Sequence, residues 1–161
     1  MIRLFTLLAA IFITAMTTVS AHAQERYEGY YYPEVTSQEE FSRVIRQGPA
    51  SNKGVRVEFV TNLTAAQLAA AESPRFVFFA KGADAKHLNI IALDDDVFSS
   101  IYRARAVMAQ MTSNMRNNDF FRAQGLEFVA TFYDLLQIME FDTLVISDGE
   151  TWSHQVNFYR E

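Results

Sequence analysis

The hydrophobic pattern is strongest between residues 75 and 96, where two apolar runs flank a short polar turn. The first run, residues 76–80, is uncharged, aromatic and β-branched, so an exposed edge made of it would promote aggregation. We therefore predict a hairpin with this run as a central strand. In the second strand, alternation separates two faces. One is purely apolar (Leu88, Ile90 and Ala92), and the other needs partial cover (His87, Asn89, Ile91 and Leu93).

Before this hairpin, the pattern predicts a helix, a strand and a second, short helix. Thr36 and Glu39 form a capping box, which predicts a helix that ends near residue 48. Alternating apolar and polar side chains over residues 55–59 are typical of a half-buried strand. Thr64 and Gln67 form another capping box, which predicts the short helix.

After the hairpin, two longer helices and a second hairpin are predicted. The first helix begins at a cap on Asp95 or Asp96 and carries one apolar stripe (Val97, Ile101, Ala104, Met108, Met111 and Met115). The second helix runs from residue 126 to about residue 140. Asp148 and Gly149 then separate two strand-like runs, which is typical of a tight hairpin turn. The last strand is predicted at or near a sheet edge.

This order of elements predicts an α+β fold. Two hairpins and one further strand make an antiparallel sheet of about five strands. Because the helices cluster between the hairpins, we expect them mainly on one face of the sheet, in a two-layer sandwich.

The first 23 residues have the pattern of a secretory signal peptide. Arg3 precedes about 13 uncharged, mainly apolar residues, and small residues follow at Ala21 and Ala23. We predict cleavage after Ala23 and a periplasmic or secreted protein. A retained membrane anchor is disfavoured because a span needs about 20 apolar residues. The remainder divides into a Tyr-rich arm, residues 24–35, and a single globular domain, residues 36–161.

Composition excludes several classes of function. Half of the residues are hydrophobic, so the chain does not have the composition of a disordered tail. The formal net charge is −5, or −6 without Arg3, which disfavours nucleic acids and anionic membranes as partners. The absence of cysteine excludes disulfides, thiol nucleophiles, thiolate metal sites and a lipid anchor at the cleavage point.

No pattern in the sequence indicates a metal or a cofactor, and we predict neither. The consecutive aspartates at residues 94–96 are explained by helix capping better than by cation binding. The methionines of the helix stripe could bind a soft ion such as Cu⁺, but core packing accounts for them. His87 and His154 lack a third ligand, and there is no P-loop, dinucleotide fingerprint or G-x-S-x-G motif.

His154 is the preferred single candidate for a functional side chain. It shares the apolar face of the last strand with Trp152. A hydrogen-bonded core histidine explains it, and a pocket histidine that acts as an acid or a base is the alternative.

Two further sets of residues are candidates for binding. Tyr30, Tyr31 and Tyr32 form either a strap packed on its own domain or a strip for partner binding or sugar stacking. Residues 97–122 carry four arginines against one aspartate, whereas residues 126–150 carry six acids and no base. Either the two helices complement each other, or Arg103 and Arg105 form a basic patch for an acidic partner or ligand.

Short motifs occur at residues 30–34 (YYYPE), 79–82 (FAKG), 102–105 (YRAR) and 147–156 (SDG followed by HQV). In them the chain resembles a family of small exported bacterial proteins that is often labelled automatically as molybdopterin-guanine dinucleotide biosynthesis protein A. The resemblance spans nearly the whole mature chain and implies export. A guanylyltransferase of that name uses a Gly-rich loop on its first strand, where this chain has a signal peptide. The resemblance therefore implies no catalytic residue.

Together these features predict an exported, non-enzymatic binding or accessory module with an unknown protein or small-molecule partner in the periplasm. The alternative is a small periplasmic hydrolase that uses His154 as acid or base, with a carboxylate brought near it by folding. Neither nucleic acid nor a membrane span is part of the prediction. The candidate binding residues are Tyr30, Tyr31, Tyr32, Arg103, Arg105, Trp152 and His154.

Overall fold

Five strands and three helices follow one another in the part of the chain that the structure describes. This computed structural model describes residues 34–43, 51–117, 122–123, 125, 128 and 130–159, which all belong to one unit, Pro33–Glu161. The elements are β1 (Ser37–Phe41), α1 (Lys53–Leu68), β2 (Phe76–Lys81), β3 (His87–Ala92), α2 (Ile101–Arg116), α3 (Phe132–Ile138), β4 (Thr143–Ser147) and β5 (Ser153–Phe158). The predicted signal peptide and almost all of the Tyr-rich arm lie outside the described residues.

The five strands form one mixed sheet in the order β1-β5-β4-β3-β2. Pairs β2–β3 and β4–β5 are antiparallel, whereas β1–β5 and β3–β4 are parallel. The α+β class and the five strands are confirmed, but the prediction of a purely antiparallel sheet is wrong. A short turn forces antiparallel pairing within each hairpin, whereas the connection from β3 to β4 contains two helices and is long enough for a parallel pair.

The hydrophobic core lies against one face of this sheet. Side chains from the three inner strands are almost completely buried there: Leu88, Ile90, Leu144, Ile146 and Val156. Ala104 and Met108 of α2 belong to the same cluster. The apolar stripe of α2, with its methionines, is therefore a core face, as predicted.

The opposite face of β3 is only partly covered. Asn89 is buried and Ile91 half-buried, whereas His87 and Leu93 are exposed. A Cβ atom on Gly149 would lie 3.3 Å from Cγ2 of Ile91, so the turn after β4 passes close to that side chain. The parity predicted for β3 is thus confirmed, with one face in the core and a mixed face opposite.

The position of one strand within the sheet differs from the prediction. β2 is an edge strand rather than a central one, whereas β5, predicted at or near an edge, lies next to the edge strand β1. β5 is covered because β1 pairs with its outer side, which hairpin signals could not reveal. Arg75 precedes β2 and Lys81 ends it, and such charges protect an apolar edge from pairing with another chain.

The predicted helix at residues 36–48 is wrong for its described part, because residues 37–41 form β1. Thr36 does not cap a helix. Its Oγ1 donates to the carbonyl of Ser153 at 2.6 Å and accepts from the N–H of Ser153 at 3.1 Å. Pairing with β5 across 117 residues overrides the local capping signal, which is only a weak preference.

The predicted strand at residues 55–59 is wrong as well, because these residues lie in α1. At the first three of these positions the exposure is the reverse of the sequence prediction: Val55 and Val57 are 41% and 44% exposed, whereas Arg56 is 3% exposed. Thr64, expected to cap a separate short helix, lies inside α1 and donates to the carbonyl of Val60 at 3.0 Å. Alternation of apolar and polar residues over five positions is too short to distinguish a strand from a helix. Here the polar residue Arg56 is buried in the helix because its partners lie elsewhere in the chain.

Both later helices begin after the predicted positions. Ser100, not Asp95 or Asp96, caps α2 by accepting from the N–H of Arg103. α3 begins at Phe132 rather than near residue 126, after a capping box formed by Thr131 and Asp134. Asp95 and Asp96 also carry side-chain acceptors close to Ser100, so the sequence placed the start of α2 too early. The start of α3 was predicted too early because the apolar pattern already begins before that helix.

The turn between β4 and β5 is organised by Asp148. Its Oδ1 accepts from the backbone N–H groups of Glu150, Thr151 and Trp152 at 2.8–2.9 Å. Gly149 adopts a φ of 84°, which glycine tolerates best. Burial alone would raise the pKa of Asp148, but the hydrogen bonds from these backbone groups outweigh it, so the pKa is lowered from 3.8.

We expect Asp148→Ala to lower the free energy of unfolding by about 1–2 kcal/mol, because three backbone donors lose their acceptor. The folded-state pKa lies below the unfolded one, so this contribution is present above the unfolded pKa and is lost as the pH falls through the folded value. Urea unfolding at pH 7 and near pH 2.5 should show the difference from wild type shrinking in acid. Glu150→Ala, on the same exposed turn, is the control and should change stability by less than about 0.5 kcal/mol.

Candidate functional site

A polar cluster lies where β1 and β5 pair at the core face of the sheet. The parallel register places Ser37 beside His154, and Glu39, two residues further along β1, points to the same face. Arg105, from the first turns of α2, reaches the same place. We call Ser37, Glu39, Arg105 and His154 the β1–β5 cluster.

His154 is at the centre of this cluster and is only 4% exposed. Its Nδ1 lies 2.8 Å from Oγ of Ser37. Its Nε2 lies 3.4 Å from Oε1 of Glu39, which is within ion-pair distance, but the geometry is not that of a hydrogen bond. The ring of Trp152 stacks on the imidazole with the centroids 6.3 Å apart and 14° between the planes. The imidazole is therefore held on several sides by named partners.

Glu39 links the histidine to an arginine. Its Oε2 is 2.9 Å from Nη2 of Arg105, while its Oε1 faces His154. The same two charges also affect the pKa of Tyr133 in α3. Burial raises its pKa to about 12, with a further increase from Glu39 and an opposing effect of Arg105. The carboxylate of Glu39 thus lies between Arg105, which is always charged, and His154, which becomes a cation when it is protonated.

A groove of about 910 Å³ adjoins this cluster through Arg105 and Tyr133. We call it the arginine groove, because Arg105, Arg116 and Arg122 line it and the described lining contains no carboxylate. Nε of Arg116 donates to the carbonyl of Ala130 at 3.1 Å, which orients the guanidinium. The lining also includes aromatic side chains: Phe128, Phe132 and Tyr133.

The structure brings together three of the seven residues selected from the sequence. Arg105, Trp152 and His154 belong to the cluster or contact it. Arg103 does not: it pairs with Asp96 before the N-terminus of α2, 3.5 Å from the carboxylate. The three tyrosines at residues 30–32 lie outside the described residues.

Sequence reasoning missed the partners of His154. Ser37 and Glu39 were assigned to a capped helix, so their shared strand face was not considered. Arg116 and Arg122 were within the basic segment that the charge pattern had marked, and attention to the whole segment could have found them. Within the described residues, Arg105 and Asp134 pair with Glu39 and Arg43 rather than with each other, so complementarity between the two helices does not explain either charge.

In the part of the chain that the structure describes, histidines and carboxylates do not gather into a group of three that could hold a metal ion. Nor does any of its helices have the length and apolar character needed to cross a membrane.

The arrangement can do two kinds of chemistry. The arginine groove can hold an anion, since guanidinium groups bind carboxylates and phosphates through paired donors. The contact between Ser37 and His154, with Glu39 beyond it, has the order of a nucleophile, a base and an acid.

The chain matches no protein-family model, and comparison with curated proteins and with solved structures found no match.

Proposed function

We propose that this protein is an exported, non-enzymatic binding module that holds an organic anion in the arginine groove. The observation that supports it most is the lining itself: three arginines and three aromatic side chains, without a described carboxylate, around about 910 Å³. Ligand sites in proteins commonly have volumes of roughly 300–1,000 Å³ and combine apolar walls with a few polar groups.

The ligand class follows from the lining. Arg116 is held through Nε by the carbonyl of Ala130, so its two other nitrogens can donate to one carboxylate, sulfonate or phosphate group. Phe128, which is 84% exposed, and Tyr133 offer aromatic surface for the body of the ligand. We infer an organic anion with an aromatic or apolar body rather than a bare inorganic ion.

Export belongs to the same proposal, on the grounds of the N-terminal pattern and of the resemblance to small exported bacterial proteins. The two-layer arrangement of sheet and helices is also part of the proposal. It is supported by the burial of Leu88, Ile90 and Leu144 on the sheet face where Met108 of α2 also lies in the core.

The test uses two aromatic probes that differ by one charge. We expect 8-anilinonaphthalene-1-sulfonate to bind the purified protein and Arg116→Gln to weaken that binding about tenfold, because a charge-assisted hydrogen-bond pair is lost. Fluorescence titration measures both affinities. N-phenyl-1-naphthylamine, which has the same aromatic body without the sulfonate, should respond to the substitution by less than about twofold.

Arg103→Gln is the matched control, since Arg103 lies on the same helix but pairs with Asp96 outside the groove. It should leave the affinity for the sulfonate within about twofold of wild type. Equal losses in the Arg103 and Arg116 variants, or equal losses for both probes, would contradict an anion site in the groove.

One observation favours a second candidate function, a serine hydrolase. Oγ of Ser37 is 2.8 Å from Nδ1 of His154, a distance suited to proton transfer from a nucleophile to a base. Ser37 is exposed, so a substrate could reach it although the imidazole is buried. On this hypothesis p-nitrophenyl acetate is hydrolysed above the rate in buffer, and Ser37→Ala abolishes the excess. Turnover equal in wild type and Ser37→Ala excludes it.

A further inference from the structure

His154 carries a buried nitrogen whose position calls for an explanation. The side chain is 95% buried, and Nε2 has no hydrogen-bond partner within the described residues. Buried polar atoms are nearly always hydrogen-bonded, so this nitrogen at the centre of a polar cluster is an exception. The nearest charge is Oε1 of Glu39, at 3.4 Å.

The surroundings of the ring suit the protonated imidazole. An imidazolium donates from both nitrogens. Oγ of Ser37 can accept at Nδ1, and the carboxylate of Glu39 can accept at Nε2 after a small adjustment. A neutral ring has only one N–H, so it meets both partners only when Nε2 donates toward Glu39 and the Ser37 hydroxyl donates to Nδ1, and it then adds no charge to the cluster.

We propose that protonation of His154 strengthens anion binding in the arginine groove, with Glu39 and Arg105 as the connection. The inference rests on the proposed function of that groove and adds its regulation. With His154 neutral, Glu39 and Arg105 form an ion pair and the cluster has no net charge. Protonation gives Glu39 a second cation and the cluster one net positive charge. Arg105, which lines the groove, then interacts less with Glu39 and more with a bound anion.

In the described structure, β1 contributes Ser37 and Glu39 beside His154, and β5 itself contributes Trp152. Arg105 of α2 pairs with Glu39 on the side away from the imidazole contact, through the other carboxylate oxygen. Tyr133 of α3 is near the same charges and keeps its proton up to about pH 12, because burial raises its pKa to about 12. Histidine is the side chain whose ordinary titration falls between pH 5 and 8.

The direction of the effect follows from linkage. A ligand that binds the protonated form more tightly takes up a proton on binding. Affinity therefore falls as rising pH removes that proton, and a bound anion favours the protonated form of His154.

The decisive experiment compares the two histidines of the mature chain. We expect 8-anilinonaphthalene-1-sulfonate, whose sulfonate stays charged, to bind about fivefold more tightly at pH 5.5 than at pH 8.0. His154→Gln should abolish this difference. His87→Gln is the matched control and should preserve it, because His87 is exposed at the start of β3 and bonds to Thr143. A pH dependence that survives in His154→Gln overturns the proposal.

A second variant tests the connection. Glu39→Gln should raise the affinity at pH 8.0 toward the value at pH 5.5, since Arg105 loses its carboxylate partner. An affinity at pH 8.0 equal to that of wild type overturns the coupling.

These outcomes distinguish the proposed effect of His154 protonation, the switch, from the proposed anion site in the arginine groove. If Arg116→Gln weakens sulfonate binding while the pH dependence survives in His154→Gln, the groove stands and the switch is wrong. If Arg116→Gln leaves sulfonate binding unchanged, the groove is wrong and the switch is overturned with it.

Discussion

Replacement of Arg56 by methionine should lower the free energy of unfolding by about 3–5 kcal/mol, the loss typical of a buried charged group whose partners stay behind. The guanidinium is 3% exposed and donates to the carbonyl of Asp84 through both Nε and Nη2, at 3.1 and 2.9 Å. Nη1 donates to the carbonyl of Met139 at 3.2 Å. One side chain of α1 thus ties together the β2–β3 turn and the end of α3. Urea unfolding, followed through the fluorescence of Trp152, the sole tryptophan, measures the loss.

Methionine retains most of the apolar stem, so the expected loss comes from the hydrogen bonds and from the two carbonyls left without a donor. Arg75→Met is the control. Arg75 also forms an ion pair, with Asp94 at 3.3 Å, but its side chain is 60% exposed. Its replacement should cost less than about 1 kcal/mol. A loss for Arg56→Met no larger than that of the control would show that the buried guanidinium is not a link between these segments.

The second large effect is expected at Asp134, whose replacement by alanine should lower the free energy of unfolding by about 2 kcal/mol. Asp134 is completely buried. Its Oδ2 accepts from the backbone N–H of Thr131 at 2.6 Å, from Oγ1 of Thr131 at 2.8 Å and from Nη1 of Arg43 at 3.1 Å. Without the carboxylate, α3 loses its capping box. Thermal unfolding followed by circular dichroism measures the effect.

The expected loss for Asp134 is smaller than that for Arg56 because its other oxygen, Oδ1, is buried without a hydrogen-bond partner in the described structure, which offsets part of the stabilisation. Asp95→Ala, at an exposed position before α2, should have almost no effect. Since α3 also contributes Phe132 and Tyr133 to the arginine groove, we expect Asp134→Ala to weaken sulfonate binding as well. Wild-type stability in Asp134→Ala would contradict a structural role for the capping box.

Sequence reasoning was reliable where the interactions are local. The two hairpins were predicted because each pairs strands joined by a short turn with recognisable turn residues. The apolar stripe of α2 was predicted for a similar reason, since helical periodicity places Ala104, Met108 and Met115 on one side whatever the rest of the chain does.

It failed where a distant partner decides the conformation. Thr36 has the features of a helix cap, yet it pairs with Ser153, and residues 37–41 become a strand. Arg56 appears as the polar side of a strand, yet it is buried in a helix because acceptors come from the β2–β3 turn and the end of α3. In both places the local preferences for helix and for strand differ little in free energy, so contacts with distant residues decide the conformation.

The same distinction applies to the candidate site. His154, Trp152 and Arg105 were selected from residue type and position, and the structure brings them close together. Ser37 and Glu39 could not be selected, because they join the site only through the parallel pairing of β1 with β5. No local pattern encodes a parallel pair between segments more than a hundred residues apart.

The sequence by itself determined the α+β class, the two hairpins and the core stripe of α2, and it selected His154 as a candidate side chain. Only the tertiary structure decided the mixed sheet, the edge position of β2, the burial of Arg56 and the position of Glu39 between His154 and Arg105. The physical reason is the range of the interactions. Periodicity and turn geometry act over a few residues, whereas strand order, buried charges and the β1–β5 cluster depend on contacts between residues far apart in the chain.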